Sequence, residues 1–438
     1  MANPNYTVLF YDALTAEPLD VIPINNLVFG SQLNQPMQLS GTYDPIQMNL
    51  KGLDVWTSTA PSRVCICVDY GGTLVWGGLN ITPRTFTLSS RQSTPLAANE
   101  LWSYFTRRVL STDYSAPPYS GIYPVAGMTP MPIWNAQWTN GESPPVIGSN
   151  PPSVWDPMLV AGQIISDAMQ YSNVPNGGSP ISYGSLLGGM SIFYNGFSSV
   201  TNYLADENAT SIYDYINLTY PFTSLNTIDS TITQLSQLGI NVGIDFGIDI
   251  GYSAGTGSSP VAAINLSTPL RGRPYSQTNL IVDTANCYDY TVTESGDQTA
   301  WQLYERGGSG AIDVQINVNP QEAGYPLLES VQDHSYIVSG NIMQILGQVG
   351  ISDEYIYSYP PASFSVILDP SDPACPLGSF ITGDNVLLKV QPDSRFPNGL
   401  QGEWRIVAWS INAADQGAAK MTLTLNQPPA LVAIGPAV

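Results

Sequence analysis

The sequence predicts a mainly β, multi-domain protein with some helix, of the α+β class. Glycine and proline are abundant, at 39 and 36 of 438 residues, against roughly 12% for the two together in average proteins, which favours turns and short strands. The lysines are Lys51, Lys389 and Lys420 alone, so helix surfaces held by Lys–Glu pairs are not expected. At about 150 residues per domain, the length suits about three domains.

The first predicted domain, residues 1–112, is rich in alternating, β-branched stretches. Val64–Val68 and Thr73–Trp76 form a predicted hairpin, because Asp69–Gly72 between them is a glycine-containing connection of the kind that tight turns use. Ala97–Val109 has both helical and extended character, so its conformation is left open. The other strands expected here are Tyr6–Tyr11, a return strand through Val21 and Ile24, and Thr85–Leu88.

Residues 113–190 are predicted to form an insertion followed by a helix. Proline, serine, glycine, asparagine and tryptophan dominate 113–152, a composition that suits a long ordered loop lying on a neighbour. The helix is expected to begin at Asp156, which can cap it. Pro157 then occupies the first turn, and apolar residues continue towards Tyr171.

Residues 191–325 are predicted to be a mixed α/β region, and its clearest element is the strand Asn241–Gly251. Large apolar side chains alternate there with small or acidic ones. Asp245 and Asp249 share a face with glycines, which suits a surface that another backbone approaches or one that lines an aqueous space. An ordinary solvated face fits the same pattern. The other expected elements are helices Leu204–Ile216 and Thr227–Leu238 and strands Asn279–Asp283, Tyr288–Thr293 and Ile312–Val318.

Residues 326–438 are predicted to form a β-barrel-like domain. A helix-like stretch, Ser339–Gly347, precedes four alternating segments separated by short turns, which are enough for a small barrel or sheet. The predicted strands are Ser363–Leu368, Asn385–Val390, Glu403–Ile411 and Lys420–Leu425.

The charge balance is strongly acidic, with 34 Asp and Glu against 13 Lys and Arg and a net charge of −21. This argues against electrostatic binding to nucleic acid or to an anionic membrane, because such binding needs clustered cationic side chains. No run of 18 apolar residues and no secretory leader is visible, so no membrane-spanning segment is expected. A folded chain with few charged residues suits a protein that packs against copies of itself or against partner proteins.

Residue patterns for catalysis or metal binding are weak. The histidine His334 lies beside Asp333 and Ser335, but neighbours in an extended chain point opposite ways and cannot form a relay. Gly251–Gly255 matches a nucleophile elbow, yet loop rather than helix follows it. Asp369–Asp372, or the pair Asp206 and Glu207, could hold calcium weakly, although turn-forming or solvated acids are the ordinary interpretation. We therefore expect no catalytic residue, no cofactor and no metal site, and reduced cysteines at 65, 67, 287 and 375.

Several short phrases, in a fixed order along the chain, resemble one protein family. They are Leu74–Ile81, Leu101–Arg108, Pro269–Arg273, Asn286–Tyr290, Gly324–Ser330, Gly383–Val386 and Arg405–Val407. In this order the phrases resemble the minor tail proteins of long-tailed bacteriophages of actinobacteria, which are related to phage baseplate hub and tail-tip proteins.

The resemblance implies a hub with tail-tube-like β-barrel modules at both ends and a mixed α/β middle. It further implies a virion protein at the tail tip, assembled in the host cytoplasm, and a homotrimer that closes the tail tube and gives DNA a passage during ejection. The distal tail protein, the tape measure protein and other minor tail proteins are the expected partners, with DNA only in transit. Within that picture Asp245 and Asp249 are the candidate channel-lining residues, because acidic walls repel phosphates.

Two other functions fit parts of the sequence. Aromatic residues across Tyr114–Trp138 suit a tail-associated receptor- or carbohydrate-binding protein, since sugar faces stack on such rings. A glycan-cleaving tail enzyme would need a carboxylate pair, but Asp245 and Asp249 would stand roughly 13 Å apart along a strand, too far for either glycosidase geometry.

Overall fold

The computed structural model describes part of the 438-residue chain, and every structural statement below concerns those residues. They are 6–80, 93–110, 114–115, 161–162, 164–165, 169, 190–195, 219–220, 224–237, 243–253, 259–267, 270–297, 299–316, 322, 324–335, 346, 362–413 and 419–427.

Strands dominate the described residues, which confirms the predicted mainly β class. In chain order the strands are β1 (Tyr6–Asp12), β2 (Pro18–Val21), β3 (Asn25–Gln32), β4 (Gln38–Tyr43), β5 (Val64–Tyr70), β6 (Thr73–Leu79), β7 (Thr94–Glu100), β8 (Tyr114–Ser115), β9 (Met190–Asn195), β10 (Thr219–Tyr220), β11 (Asp245–Tyr252), β12 (Pro260–Ser267), β13 (Ile281–Asp283), β14 (Asp289–Glu294), β15 (Gln302–Gly307), β16 (Ile312–Ile316), β17 (Glu329–His334), β18 (Ala362–Leu368), β19 (Asn385–Val390), β20 (Leu400–Ala413) and β21 (Lys420–Asn426). Helices cover Pro45–Leu50, Val55–Ser58, Ile228–Ser236 and Tyr275–Thr278, with 3₁₀ turns at Leu101–Arg107 and Gly308–Gly310.

One large sheet joins the two ends of the chain. Its strand order is β14-β18-β21-β20-β3-β4-β7-β6-β5-β1-β2, with β19 on β20 and β13 on β19. The long strand β20 makes the connection: its first half pairs with β19, and its second half, from Ala408, pairs with β3. The pairing of β20 with β21 shifts register between Ile406 and Ala408, a bulge that lets one strand change neighbours. The predicted domain boundaries at residues 112 and 326 stay predictions. The N-terminal and C-terminal segments nevertheless share backbone hydrogen bonds, between β3 and β20.

The contact between β3 and β20 is unusually close. A β carbon on Gly30 would lie 2.2 Å from the carbonyl oxygen of Trp409, so glycine permits the two backbones to meet there. Beside it, the rings of Phe29 and Trp409 pack edge to face at 5.9 Å. Both residues belong to one apolar core that also contains Phe10 and Phe364. The two end segments are therefore joined by shared core as well as by backbone hydrogen bonds.

A second core lies between the large sheet and the middle of the chain. The rings of Trp102 and Phe246 stack at 4.3 Å, and Ile232 and Ile264 are fully buried in the same cluster. The indole nitrogen of Trp102 donates to Asp229 at 2.7 Å. This core holds the helix Ile228–Ser236 and the strands β11 and β12 against the 3₁₀ turn that follows β7.

Many predicted elements are confirmed. The hairpin of β5 and β6 turns through Gly71 and Gly72, which have left-handed φ angles of 61° and 91°, and the Gly72 amide donates to Asp69 at 2.9 Å. Thr227 caps the helix Ile228–Ser236 by accepting from the Ser230 amide. The stretch Ala97–Val109, whose conformation the sequence left undecided, is a strand up to Glu100 and then a 3₁₀ turn. All four C-terminal strands form, and all four cysteines are free thiols.

Other predicted elements lie outside the described residues. Thr85–Leu88 and Leu204–Ile216 are among them, as are 113–152 apart from β8 and Ser339–Gly347 apart from Leu346. Of the helix predicted from Asp156, residues 161–162, 164–165 and 169 are described, and they are helical. Among the described helices, none combines the length and the apolar character that a membrane crossing requires.

Candidate functional site

Three arginines and three aspartates meet where the middle of the chain contacts the large sheet. We call this cluster the junction and define it as Asp245, Asp249, Arg271, Arg273, Asp384 and Arg405. Strand β11 supplies the first two acids, the loop before Tyr275–Thr278 supplies two arginines, and the turn before β19 and strand β20 supply the rest. Four of the six side chains come from the sequence phrases that carried the family resemblance.

Asp245 is the buried centre of the junction, with 7% of its surface exposed. Its carboxylate pairs with the Arg405 guanidinium and accepts from the Arg271 amide and the Asn34 side-chain amide, both at 2.8 Å. Asn34 has a left-handed φ of 59°, and its side-chain oxygen accepts from the Phe246 amide at 2.8 Å. A buried carboxylate with three donors is well compensated for its lost hydration.

Asp249 lies farther along the same face of β11, and 34% of its side chain is exposed. It pairs with Arg271 and accepts from the side-chain amide of Asn265, on the neighbouring strand, at 2.6 Å. The Arg271 side chain, only 4% exposed, crosses the glycine between the two acids. A β carbon on Gly247 would lie 2.1 Å from its Nη1 atom, so glycine at 247 makes room for the guanidinium.

Arg273 and Asp384 form the third pair of the junction. Asp384 is fully buried and accepts from the Arg273 amide at 2.7 Å, from its Nε at 3.2 Å and from its Nη2 at 2.5 Å. This hydrogen bonding raises the pKa of Arg273. The backbones touch beside the pair: a β carbon on Gly272 would lie 2.1 Å from the carbonyl carbon of Gly383. Both glycines have left-handed φ angles, 105° and 101°, which other residues rarely adopt.

The junction balances its charges, because each aspartate faces an arginine. The Asp245–Arg405 pair is buried on both sides, so removing one of its members leaves the other charge uncompensated and costs about 3–5 kcal/mol of stability. The other two pairs are each buried on one side only. Planar guanidinium groups with several donors also fix the orientation of the segments that they join. The arrangement therefore acts as a rigid connection between β11, the 270–274 loop and the C-terminal strands.

A cavity of about 190 Å³ opens beside the junction, between β6, β11 and the 377–382 turn. Glu100, at the end of β7, lines it and accepts from the Met37 amide at 2.7 Å. Some of its surface remains accessible because it faces the cavity, but the surrounding protein removes most of its water. Burial raises the pKa of Glu100 to about 8, against 4.5 ordinarily, with Arg271 and hydrogen bonds opposing the rise.

The two predicted channel-lining residues are both in the junction. The strand pattern correctly placed Asp245 and Asp249 on one face with glycines, and another part of the chain does approach that face, through Arg271. Their role in lining a channel stays a prediction, because it depends on the arrangement of several copies. Sequence reasoning did not single out Glu100 or the arginine partners, since no local pattern marks a contact between residues so far apart in the chain.

The remaining sequence candidates that lie in the described residues have ordinary structural surroundings, whereas Asp206, Glu207 and the end of the Gly251–Gly255 motif lie outside them. His334 is buried and its Nε2 lies 2.8 Å from the carboxylate of Glu305, while Asp333 pairs with Arg306 at 2.7 Å. Asp369 accepts from the Ser371 amide at 2.8 Å, a turn-forming contact. Within the described residues, no three His, Cys, Asp or Glu side chains group as metal ligands would. Tyr114–Trp138 lies outside the described residues apart from β8.

Comparison with known proteins yields structural matches. No model of a known family matches the sequence, and no curated protein matches it. The 43 kDa tail protein of prophage MuSo2 from Shewanella oneidensis matches with a TM-score of 0.54 at 8% identity, over 97% of this chain and 98% of that one. The tail protein from Neisseria meningitidis MC58 matches with a TM-score of 0.53 at 9% identity, over 97% of both chains.

A third match is part of a Francisella complex. A chain of the lidded Francisella PdpA–VgrG complex matches with a TM-score of 0.50 at 9% identity, over 99% of this chain and 54% of that one. At such low identity these likenesses establish the fold. The chain shares the fold of the two tail proteins along nearly its whole length.

Proposed function

We propose that the chain is a structural tail protein of a bacteriophage that forms the hub of the tail tip. In this role it closes the tail tube and gives DNA a passage during ejection. The observation that carries the proposal is the fold shared with a prophage tail protein and with a tail protein from Neisseria meningitidis, over 97% or more of each chain. The family resemblance of the sequence phrases points to the same class.

The ion pairs of the junction support a structural role. A hub must keep its parts in fixed relative positions while neighbouring proteins bind it and DNA passes. Here three ion pairs and a glycine–glycine contact hold the loop around Arg271 and Arg273 against β11, Asp384 and β20. Buried, charge-paired contacts specify one arrangement of the segments, because alternatives would leave charges unpaired.

The charge of the chain supports a passage for DNA. Three copies would together carry three times the −21 of one chain, and an acidic wall lets phosphates pass without sticking. Asp245 and Asp249 contribute less to such a wall than their charges alone suggest, because arginines neutralise them. Asp249, with 34% of its side chain exposed, is the one of the two that can face a channel.

The oligomeric state, the location and the partners of the chain are proposed on the resemblance of the sequence phrases. The chain acts as a homotrimer at the tail tip of the virion, assembles in the host cytoplasm, and contacts the distal tail protein, the tape measure protein and other minor tail proteins. It has no catalytic role. An actinobacterial phage is the proposed source, on the resemblance of the sequence phrases.

Electron microscopy and native mass spectrometry of the purified chain test the proposal. We expect ring-shaped particles with threefold symmetry and a mass three times that of the 47.1 kDa chain, alone or once the distal tail protein is added. A chain that remains a compact monomer under both conditions would contradict the hub proposal.

A further inference from the structure

The two ends of the chain repeat one arrangement of strands. In the N-terminal segment the strands lie in the order β1-β5-β6-β7-β4-β3, and in the C-terminal segment in the order β13-β19-β20-β21-β18-β14. Neighbours pair antiparallel in both series, apart from β13 with β19. We call these two series the first module and the second module. Each strand of one module has a counterpart in the other, and β14 is the counterpart of β3.

The counterpart strands β3 and β14 differ in what lies along their outer edges. Strand β3 pairs with β4 on one edge and with β20 of the second module on the other. Among the described residues, β14 pairs with β18 alone, so its second edge can accept a further strand. The pairing that β20 gives to β3 within the chain is therefore missing at β14.

The burial of the side chains shows the same difference. On β3, Leu27 and Phe29 point into the core and are 2% and 1% exposed. On β14, Tyr290 and Val292 pack against that same core but remain partly exposed. Strand β20 covers Phe29 with the ring of Trp409, and a strand placed beside β14 would cover its two inward side chains in the same way.

Strand β14 also lacks the features that protect a sheet edge. Proteins protect free edges with proline, with lysine or with very short strands. At the opposite end of the strand order, β2 is four residues long and begins at Pro18. Strand β14 has six residues, and its central residues Tyr290–Thr293 are uncharged and of types that favour strands. Of the two strands that end this order, β14 is therefore the one suited to accept another strand.

We propose that the free edge of β14 binds the first module of a second copy of the chain. This contact repeats between copies the pairing that β3 makes with β20 within one chain. The counterpart of β20 in the first module is β6, so the β6 side of that module meets β14. A contact between two different surfaces of identical chains produces a ring when the rotation closes. The inference rests on the proposed homotrimer and names a surface that joins its copies.

Val292→Lys tests this interface, with Thr291→Lys as its matched control. In a single chain a lysine at 292 can reach water past the open edge, but a neighbouring strand would bury its charge. Thr291 is exposed and points to the opposite face of the sheet, so a lysine there leaves the edge accessible. Sedimentation equilibrium, under the conditions in which the unmodified chain assembles, should show association at least about 100-fold weaker for Val292→Lys. Thr291→Lys should associate as the unmodified chain does, and circular dichroism checks the fold of both variants.

Hydrogen exchange of the unmodified chain tests the same interface without a variant. The amides of Asp289–Glu294 should exchange at least about tenfold more slowly in the assembled chain than in the chain diluted to a monomer. Those of Asn25–Gln32, already paired on both edges within the chain, should exchange equally in both states. Equal exchange of Asp289–Glu294 in the two states, or undiminished assembly of Val292→Lys, would overturn this interface and leave the hub proposal standing. A chain that never assembles would overturn both.

Discussion

Glu100 offers the sharpest test of the electrostatics beside the junction. Its pKa is about 8 in the folded chain and 4.5 ordinarily, so the folded state holds a proton that the unfolded state releases between these values. The stabilising effect of this group is fully present below pH 4.5 and is lost as the pH rises through about 8. At about 1.4 kcal/mol for each pKa unit, the full loss is about 5 kcal/mol, of which about 3 kcal/mol is lost by pH 7.

Glu100→Gln removes the titration but keeps the shape of the side chain. Its amide oxygen can still accept from Met37, as the carboxylate does at 2.7 Å. The variant should therefore match the unmodified chain near pH 4.5 and exceed it by about 3 kcal/mol in unfolding free energy at pH 7. Urea unfolding at half-unit steps of pH measures the difference. Glu17→Gln, at an exposed position, is the control and should show no such widening gap.

A result of the opposite sign would refute this reasoning. If Glu100→Gln is less stable than the unmodified chain at pH 7, the carboxylate is charged and stabilising there. A difference that stays constant from pH 4.5 to 8 would show that folding does not shift the pKa of Glu100.

Two further substitutions test the junction itself. Gly247→Ala should lower the unfolding free energy by about 1–3 kcal/mol, because the new β carbon must displace the buried Arg271 guanidinium; Gly251→Ala, where nothing lies within 4 Å, should cost less than about 1 kcal/mol. Asp245→Asn should cost about 3–5 kcal/mol because it leaves an arginine buried and unpaired. Asp249→Asn should cost clearly less than Asp245→Asn, since water reaches its partly exposed side chain. Urea unfolding measures all four; equal losses within either pair would contradict the description of the junction.

Local patterns in the sequence were sufficient for many individual strands. The four C-terminal strands alternate clearly, and the glycines after Asp69 mark a tight turn whatever lies around them. The alternation also placed Asp245 and Asp249 correctly on the glycine face of β11. These features depend on neighbours in the chain, which is why they could be predicted.

The sequence analysis did not predict two strands whose buried faces carry polar side chains. In the sheet of β16, β15 and β17, Glu305 and His334 are buried while Val314 and Val331 are exposed. The usual rule that apolar residues point inward therefore gives no signal for β15 or β17. The buried pair of Glu305 and His334 replaces the apolar contact that a sequence pattern would reveal.

Contacts between residues far apart in the chain could not be predicted from the sequence either. Nothing near Gly30 indicates that it meets Trp409, because that contact joins segments separated by most of the chain. The arginine partners of Asp245 and the burial of Glu100 have the same origin. The phrases of the family resemblance nevertheless included Arg271, Arg273, Asp384 and Arg405, so the resemblance carried information about the junction that charge patterning did not.

Location in a virus particle is the most direct test of the tail role. A cryo-electron microscopy reconstruction of the tail of the phage that encodes this chain should contain three copies in a ring at the distal end of the tail tube. Density for this fold would surround the path of the DNA. Complete tails whose tip contains no copy of the chain would contradict the account.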